Sequence, residues 1–145
     1  AEMPEFHVLE YPDWAAVICI RTDGKYVMVE QFRYGVGQDS IEFASGAIDP
    51  GESPEAGARR ELLEETGYEA DEFHFLGAFA PDPSKHTNFA HLYVATQARR
   101  VAEPAPDAGE DLRVLALSRE ELEDAIASNS IIHGIHIAAL WLAEK

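Results

Sequence analysis

Residues 53–67 carry the signals for both ends of a helix, and they constrain the fold more than any other segment. Ser53 suits an N-cap, because its hydroxyl can accept an N–H of the first turn. Pro54 follows at the first helical position, where its missing N–H costs nothing. Gly67 supplies the left-handed residue on which helices commonly stop. The spacing therefore predicts a helix from Pro54 to about Thr66. Its last two turns read Arg59-Arg60-Glu61-Leu62-Leu63-Glu64-Glu65. Residues three and four apart share a helix face, so Glu61, Glu64 and Glu65 form one acidic surface. These carboxylates repel one another and stand at the negative end of the helix dipole, where cations are preferred. A hard divalent cation, Mg²⁺ or Mn²⁺, would resolve that conflict and keep waters for a substrate phosphate. On these three residues alone, a solvated acidic helix end is the competing reading.

Around this helix the pattern is mostly strand. Residues 14–21 are apolar and β-branched. Thr22-Asp23-Gly24-Lys25 reads as a hairpin turn, since Asp-Gly tolerates positive φ. Residues 26–33 return as the partner strand. Gly35 and Gly37 mark a loop, and a short strand is expected over 40–44. Further strands are expected over 73–78, 88–98 and 112–117, with Pro-containing loops at 81–86 and 103–111. Ser118 with Glu121 three residues on makes a capping box, opening a helix to about Ala127. Residues 131–143 are apolar at helical spacing. Strands interleaved with helices predict an α/β or α+β layered domain, and 145 residues fit a single domain, 1–145.

The chain holds 27 acidic and 11 basic residues, a formal charge of −16. Such a balance excludes a general nucleic-acid backbone binder, which needs a basic stripe, and argues against docking on anionic lipid. The single cysteine, Cys19, sits in an apolar run and reads as a buried, inert thiol. That run is too short for a membrane span, which takes about 20 residues. Ala1-Glu2-Met3-Pro4 shows neither a basic nor an apolar leader region. Met3 is expected to be the native start and a reducing cytoplasm the location.

From Gly46 to Tyr68 the spacing is Gly, five residues, Glu, seven residues, Arg-Glu-Leu, one residue, Glu-Glu, one residue, Gly-Tyr. This segment resembles the Nudix box at Gly46, Glu52, Arg60, Glu61, Leu62, Glu64, Glu65 and Gly67. Tyr68 departs from it, standing where the box has an aliphatic residue. Glu30-Gln31-Phe32-Arg33, residues 41–46, the 81–83 loop and Glu110-Asp111-Leu112-Arg113-Val114 resemble the ADP-ribose pyrophosphatase branch. Pro83 lies fifteen residues past Tyr68, a recurrent proline position there.

The resemblance implies an α/β/α sandwich with a mixed sheet. It also implies Mg²⁺-dependent (or Mn²⁺-dependent) cleavage of the diphosphate of ADP-ribose or a related nucleotide sugar, with two or three ions. It assigns Ser45 (through its carbonyl), Glu61, Glu64, Glu65 and Glu110 to the metals, and Glu64 and Glu110 to catalysis. Arg33, Glu42 and Gly46 would bind substrate, while Glu52, Arg60 and Gly67 would hold the motif, Arg60 by pairing with Glu52. Ala108 replaces one of the family's two loop carboxylates, which leaves Asp107 as a further candidate base. A homodimer is expected, although only about thirteen residues precede the first strong strand, fewer than larger members use to exchange an N-terminal sheet.

Two alternatives share this fold: a triphosphate or capped-RNA pyrophosphohydrolase, and a nucleotide-sensing module without activity. The retained Glu61, Glu64 and Glu65 argue against the second. Lys85 and His86 read as solvated loop, and His133 with His136 lacks a third ligand for a metal site. Trp14, Phe32 and Tyr34 read mainly as core or interface residues, with base stacking as their functional alternative.

Overall fold

The computed structural model describes residues 1–145. Eight strands and three helices follow in the order β1 (Trp14–Arg21), β2 (Tyr26–Arg33), β3 (Gln38–Glu42), β4 (Ala44–Ala47), α1 (Pro54–Thr66), β5 (Tyr68–Glu69), β6 (Glu72–Phe79), β7 (Ala90–Arg100), β8 (Arg113–Leu117), α2 (Arg119–Ala127) and α3 (Gly134–Ala143).

Strand β1 is central. It runs parallel to β7, from Trp14 opposite Ala90 onward, and antiparallel to β2 at the hairpin, where Cys19 faces Val27 and Ile20 faces Tyr26. Beyond those pairs the two strands part. Strand β4 takes the first half of β1, while β3 takes the far half of β2, with Arg33 opposite Gln38. The chain crosses this fork at Phe43. The other ladders join β8 to β2, β6 to β7 and β5 to β7.

Alternation along β1 sends side chains to opposite faces. Ala16 and Ile18 join Met28, Phe43 and Leu92 beneath Leu122 of α2 and Leu140 of α3. Ala15, Val17 and Cys19 join Val27, Ala44 and Tyr93 beneath Ala58 and Leu62 of α1. A mixed sheet is thus covered by helices on both faces. Burying a side chain such as Leu62 contributes about 2 kcal/mol. Helix α1 is held at its ends as the sequence indicates. The Ser53 hydroxyl accepts the Ala56 N–H, and Gly67 adopts φ 76° while donating to the Leu63 carbonyl. A Cβ at Gly67 would also collide with the Ala102 carbonyl.

Several boundaries differ from expectation. The strand expected at 40–44 is two strands, because Glu42 pairs with β2 and Ala44 with β1. The strand expected at 88–98 lies two residues later, since Asn88 and Phe89 are held by Pro12 and Asp13 before the ladder starts. Strand β5 is an addition to the expected set. Helix α3 begins at Gly134, because residues 130–131 donate to the Ala125 carbonyl and finish the α2 turn instead. No helix is long and apolar enough to cross a membrane.

Candidate active site

The fork between β1 and β2 opens a cleft of about 270 Å³ whose walls include Arg33, Ser45, Gly46, Glu65 and Glu110. Glu65 projects from the last turn of α1 and is only 3% exposed. One of its oxygens accepts the Ser45 N–H at 3.2 Å. Burial pushes this carboxyl up to about 8, and the neighbouring Glu61 and Glu110 carboxylates push the same way. Glu61, one turn earlier, is 9% exposed and also raised by burial, against the pull of Arg60. Gly46 passes directly over it, and a Cβ there would overlap the Glu61 carboxylate. Glycine at this position is therefore a matter of space.

Arg60 ties the turn before α1 to the helix. Its Nε and a terminal nitrogen donate to the two oxygens of Glu52 at 2.8 and 2.9 Å. The second terminal nitrogen donates to Glu61 at 2.8 Å and Glu64 at 3.2 Å. Glu52 also accepts the Asp49 N–H, and these bonds, the Arg60 pair first, hold its carboxyl down at about 2.

Across the cleft, Arg33 donates through Nε and a terminal nitrogen to both oxygens of Glu42, at 2.9 and 2.6 Å. Glu42 is 2% exposed, so it meets a ligand only through the guanidinium it aims. The Phe43 N–H, where the chain crosses the fork, donates to His136 Nδ1 at 3.1 Å. His136 is fully buried, and burial, followed by the neighbouring His133, pushes it down to about 3. A neutral ring thus pins the joint between the Arg33–Glu42 pair and Ser45.

Glu110 stands on the loop before β8, where its side chain accepts the Asp107 N–H at 3.0 Å. It lines both this cleft and a larger neighbour of about 530 Å³ that also contains Gln31, Arg33, Asp39 and Arg113. The structure therefore brings Arg33, Ser45, Gly46, Glu65 and Glu110 to one cleft, with Glu61 behind Gly46 and Glu42 beneath Arg33. Glu64 turns toward Arg60, Gly67 serves as the helix cap, and Asp107 is exposed. Gln31, Trp14 and His133 also line the cleft. Gln31 had a sequence signal in its Gln-aromatic-Arg setting, and Trp14 had one as a base-stacking alternative. His133 and His136 stack face to face at 4.0 Å, which serves packing and places no third ligand beside them.

The donor set fits a hard divalent cation. Carboxylates that burial holds above their ordinary range lack a countercharge that such an ion supplies, and Gly46 leaves backbone close to them. As the side chains stand, no three acidic or histidine groups converge on one point, since Glu61 and Glu64 are drawn to Arg60.

The family model described as NUDIX domain matches residues 11–134. The chain belongs to the Nudix family. Among curated relatives of this Nudix protein, an ADP-ribose pyrophosphatase of Bacillus subtilis (strain 168) is 30% identical over 125 residues, covering 86% of this chain and 68% of that protein. A methanol dehydrogenase activator of Bacillus methanolicus is 41% identical over 88 residues, covering 61% and 48%. An ADP-sugar pyrophosphatase of Mus musculus is 38% identical over 101 residues, covering 66% and 46%. The Nudix chain thus spans about half the length of the latter two relatives. A solved structure described as ADP compounds hydrolase superposes with a TM-score of 0.81 at 24% identity, covering 91% of this chain and 70% of that one. It shares the Nudix α/β/α fold.

Proposed function

We propose that this Nudix chain hydrolyses the diphosphate of ADP-ribose or a related nucleoside diphosphate sugar with Mg²⁺ or Mn²⁺, releasing a mononucleotide and a sugar phosphate. The observation that carries the reading is the combination of buried Glu61 under Gly46 and buried Glu65 beside Ser45 with Arg33 across the same cleft. Relatives described as ADP-ribose and ADP-sugar pyrophosphatases support it.

Glu61, Glu65, Glu64, Glu110 and the Ser45 carbonyl are the groups that would hold two or three divalent ions. When bound, such ions offset the diphosphate charge and lower the pKa of the attacking water. The rest falls to the chain. Arg33, aimed by buried Glu42, offers its remaining N–H groups to a phosphate oxygen as charge-assisted donors. Gly46 lets the diphosphate approach the backbone. Arg60 and Glu52 keep the turn and helix in register. Glu110, which lines both clefts, takes a proton from water in this reading, with Glu64 as the second candidate. Hydrolysis adds that water's oxygen to one phosphorus and breaks its bond to the bridging oxygen, and the departing phosphate carries the remaining charge.

The test is product analysis with purified protein, Mg²⁺ or Mn²⁺, a panel of nucleotide sugars and a parallel panel of nucleoside triphosphates and capped RNA. Mononucleotide with sugar phosphate from the first panel is the expected result. Release of pyrophosphate or orthophosphate from the second panel alone overturns the substrate assignment, and no release from either overturns the activity. The same proposal carries a single domain over 1–145, a cytoplasmic location and a homodimer, the last checked by light scattering on the eluting species.

A further inference from the structure

Residues 42–46 join the two walls of the carboxylate cleft across the fork. Glu42 aims Arg33, Ser45 donates its N–H to Glu65, and Gly46 lies against Glu61. Ladders hold both ends of the crossing, with Glu42 opposite Val29 on β2 and Ala44 opposite Val17 on β1. Phe43 between them belongs to neither ladder, and its N–H donates to His136 Nδ1 at 3.1 Å.

That bond decides the tautomer of the ring. Nδ1 accepts, so the proton of the neutral imidazole sits on Nε2, which is buried without a partner. His136 is 0% exposed, stacked on His133 at 4.0 Å and packed beside Phe43 and Trp14 at 6.1 and 5.9 Å. His136→Leu would strand the Phe43 N–H in place of Nε2, one buried donor in either case, at a cost of about 1–3 kcal/mol each. What the ring supplies beyond an aliphatic side chain is therefore a fixed place for the Phe43 N–H.

We propose that His136 is a positioning residue for hydrolysis, setting the spacing between the Arg33 guanidinium and the carboxylates of α1 by holding the Phe43 N–H. This rests on reading the carboxylate cleft as the diphosphate site. Arg33 and the groups that would hold the metals must grip one diphosphate together, and a shift of about 1 Å in such a pair costs about 100-fold in rate. Without its acceptor the crossing is free to shift toward either ladder, and Glu42 and Ser45 stand within two residues of it. His136 itself lines neither cleft beside Arg33, so it acts through the backbone.

The test compares His136→Asn, His136→Gln and His136→Leu in the full chain. The Asn amide oxygen takes the place of Nδ1, the Gln oxygen stands nearer the place of Nε2, and leucine offers no acceptor. With Mg²⁺ and nucleotide sugars, His136→Leu and His136→Gln should lower kcat about 10- to 100-fold, more than KM changes, and His136→Asn should recover about 10-fold. Phe43 amide exchange, followed by nuclear magnetic resonance without metal or substrate, should quicken about 10-fold in the same two variants and stay slow in His136→Asn. If His136→Leu does not fold, Asn against Gln makes the same comparison. Equal kcat in the variants, losses that follow melting temperature rather than the acceptor, or equal Phe43 exchange throughout overturns the proposal. A parent protein that cleaves neither substrate panel sinks the catalytic reading instead, and the exchange pattern still decides whether His136 places the crossing.

Discussion

Helices α1 and α2 are both acidic, yet their acids live in opposite conditions. In α2, Glu120 and Glu121 occupy the first turn, where the helix dipole favours negative charge. Glu121 completes a capping box with Ser118, and the Ser118 N–H it accepts holds its carboxyl below the usual range. In α1 the acids Glu61, Glu64 and Glu65 crowd the last two turns, where the dipole opposes them. Two of them are buried and raised above the ordinary carboxylate range. Charge count does not separate the two helices. What separates them is whether each charge sits where its surroundings favour or resist it, and resisted charge marks the place where a ligand is expected.

The largest expected effect lies at the resisted end. Glu65→Gln should lower diphosphate hydrolysis about 1,000-fold, several kcal/mol of transition-state stabilisation. Its melting temperature in chelator should not fall, because the amide oxygen can still accept the Ser45 N–H and the buried site already resists a charge. Retained activity would break the contrast between the helices. Next comes acid stability. His136 is buried neutral with its pKa pushed from 6.5 to about 3, surrounded by His133, Glu42 and Arg33. A depressed folded pKa means the unfolded state binds the extra proton first. Its contribution is therefore present above pH 6.5 and is lost as pH falls toward 3. That amounts to about 3 kcal/mol between pH 6.5 and 4. Urea midpoints across this range should slope less steeply in His136→Gln, and an unchanged slope would count against the assignment.

Smaller effects sharpen the comparison. Arg33→Met leaves the buried Glu42 carboxylate without its partner and should cost about 2 kcal/mol in denaturant melts. The double variant Arg33→Met with Glu42→Leu should recover most of that loss, since apolar replacement of both partners removes the stranded charge. On α2, Ser118→Ala should cost about 1 kcal/mol without touching turnover. Glu123→Gln should change stability by less than about 0.5 kcal/mol. Lost turnover in either α2 variant would erase the distinction drawn between the helices.

Much of this was legible in the sequence where local chemistry decides structure. Ser53, Pro54 and Gly67 delimit α1, and Ser118 with Glu121 opens α2, because caps act over a few residues. The hairpin at Asp23-Gly24 and the faces of β1 follow from turn chemistry and alternation. Less legible was whatever depends on a partner far along the chain. The division of residues 38–47 into two strands is set by β1 and β2 pulling apart, and no glycine, proline or turn residue between Glu42 and Ala44 marks the break. Strand β5 exists only because Arg99 and Arg100 pass beside it. Within the site, the box residues could be read from their offsets, whereas the His136 bond to Phe43 joins residues 93 apart. The neutral state of His136 follows from burial, which periodicity over 131–143 does not assign residue by residue.

The parallel pairing of Trp14 with Ala90 has a kinetic consequence. The carboxylate half of the cleft is built from close neighbours in the chain, Ser45 meeting Glu65 across 20 positions. The wall formed by Trp14 and His133 joins residues far apart in the chain, so its loop-closure entropy must be met before those contacts reward it. A refolding chain should therefore gain α1 helicity ahead of Trp14 burial, with far-ultraviolet ellipticity leading the fluorescence change in stopped-flow traces. For a time after it is made, such a chain carries its acidic groove without the Trp14–His133 wall beside it.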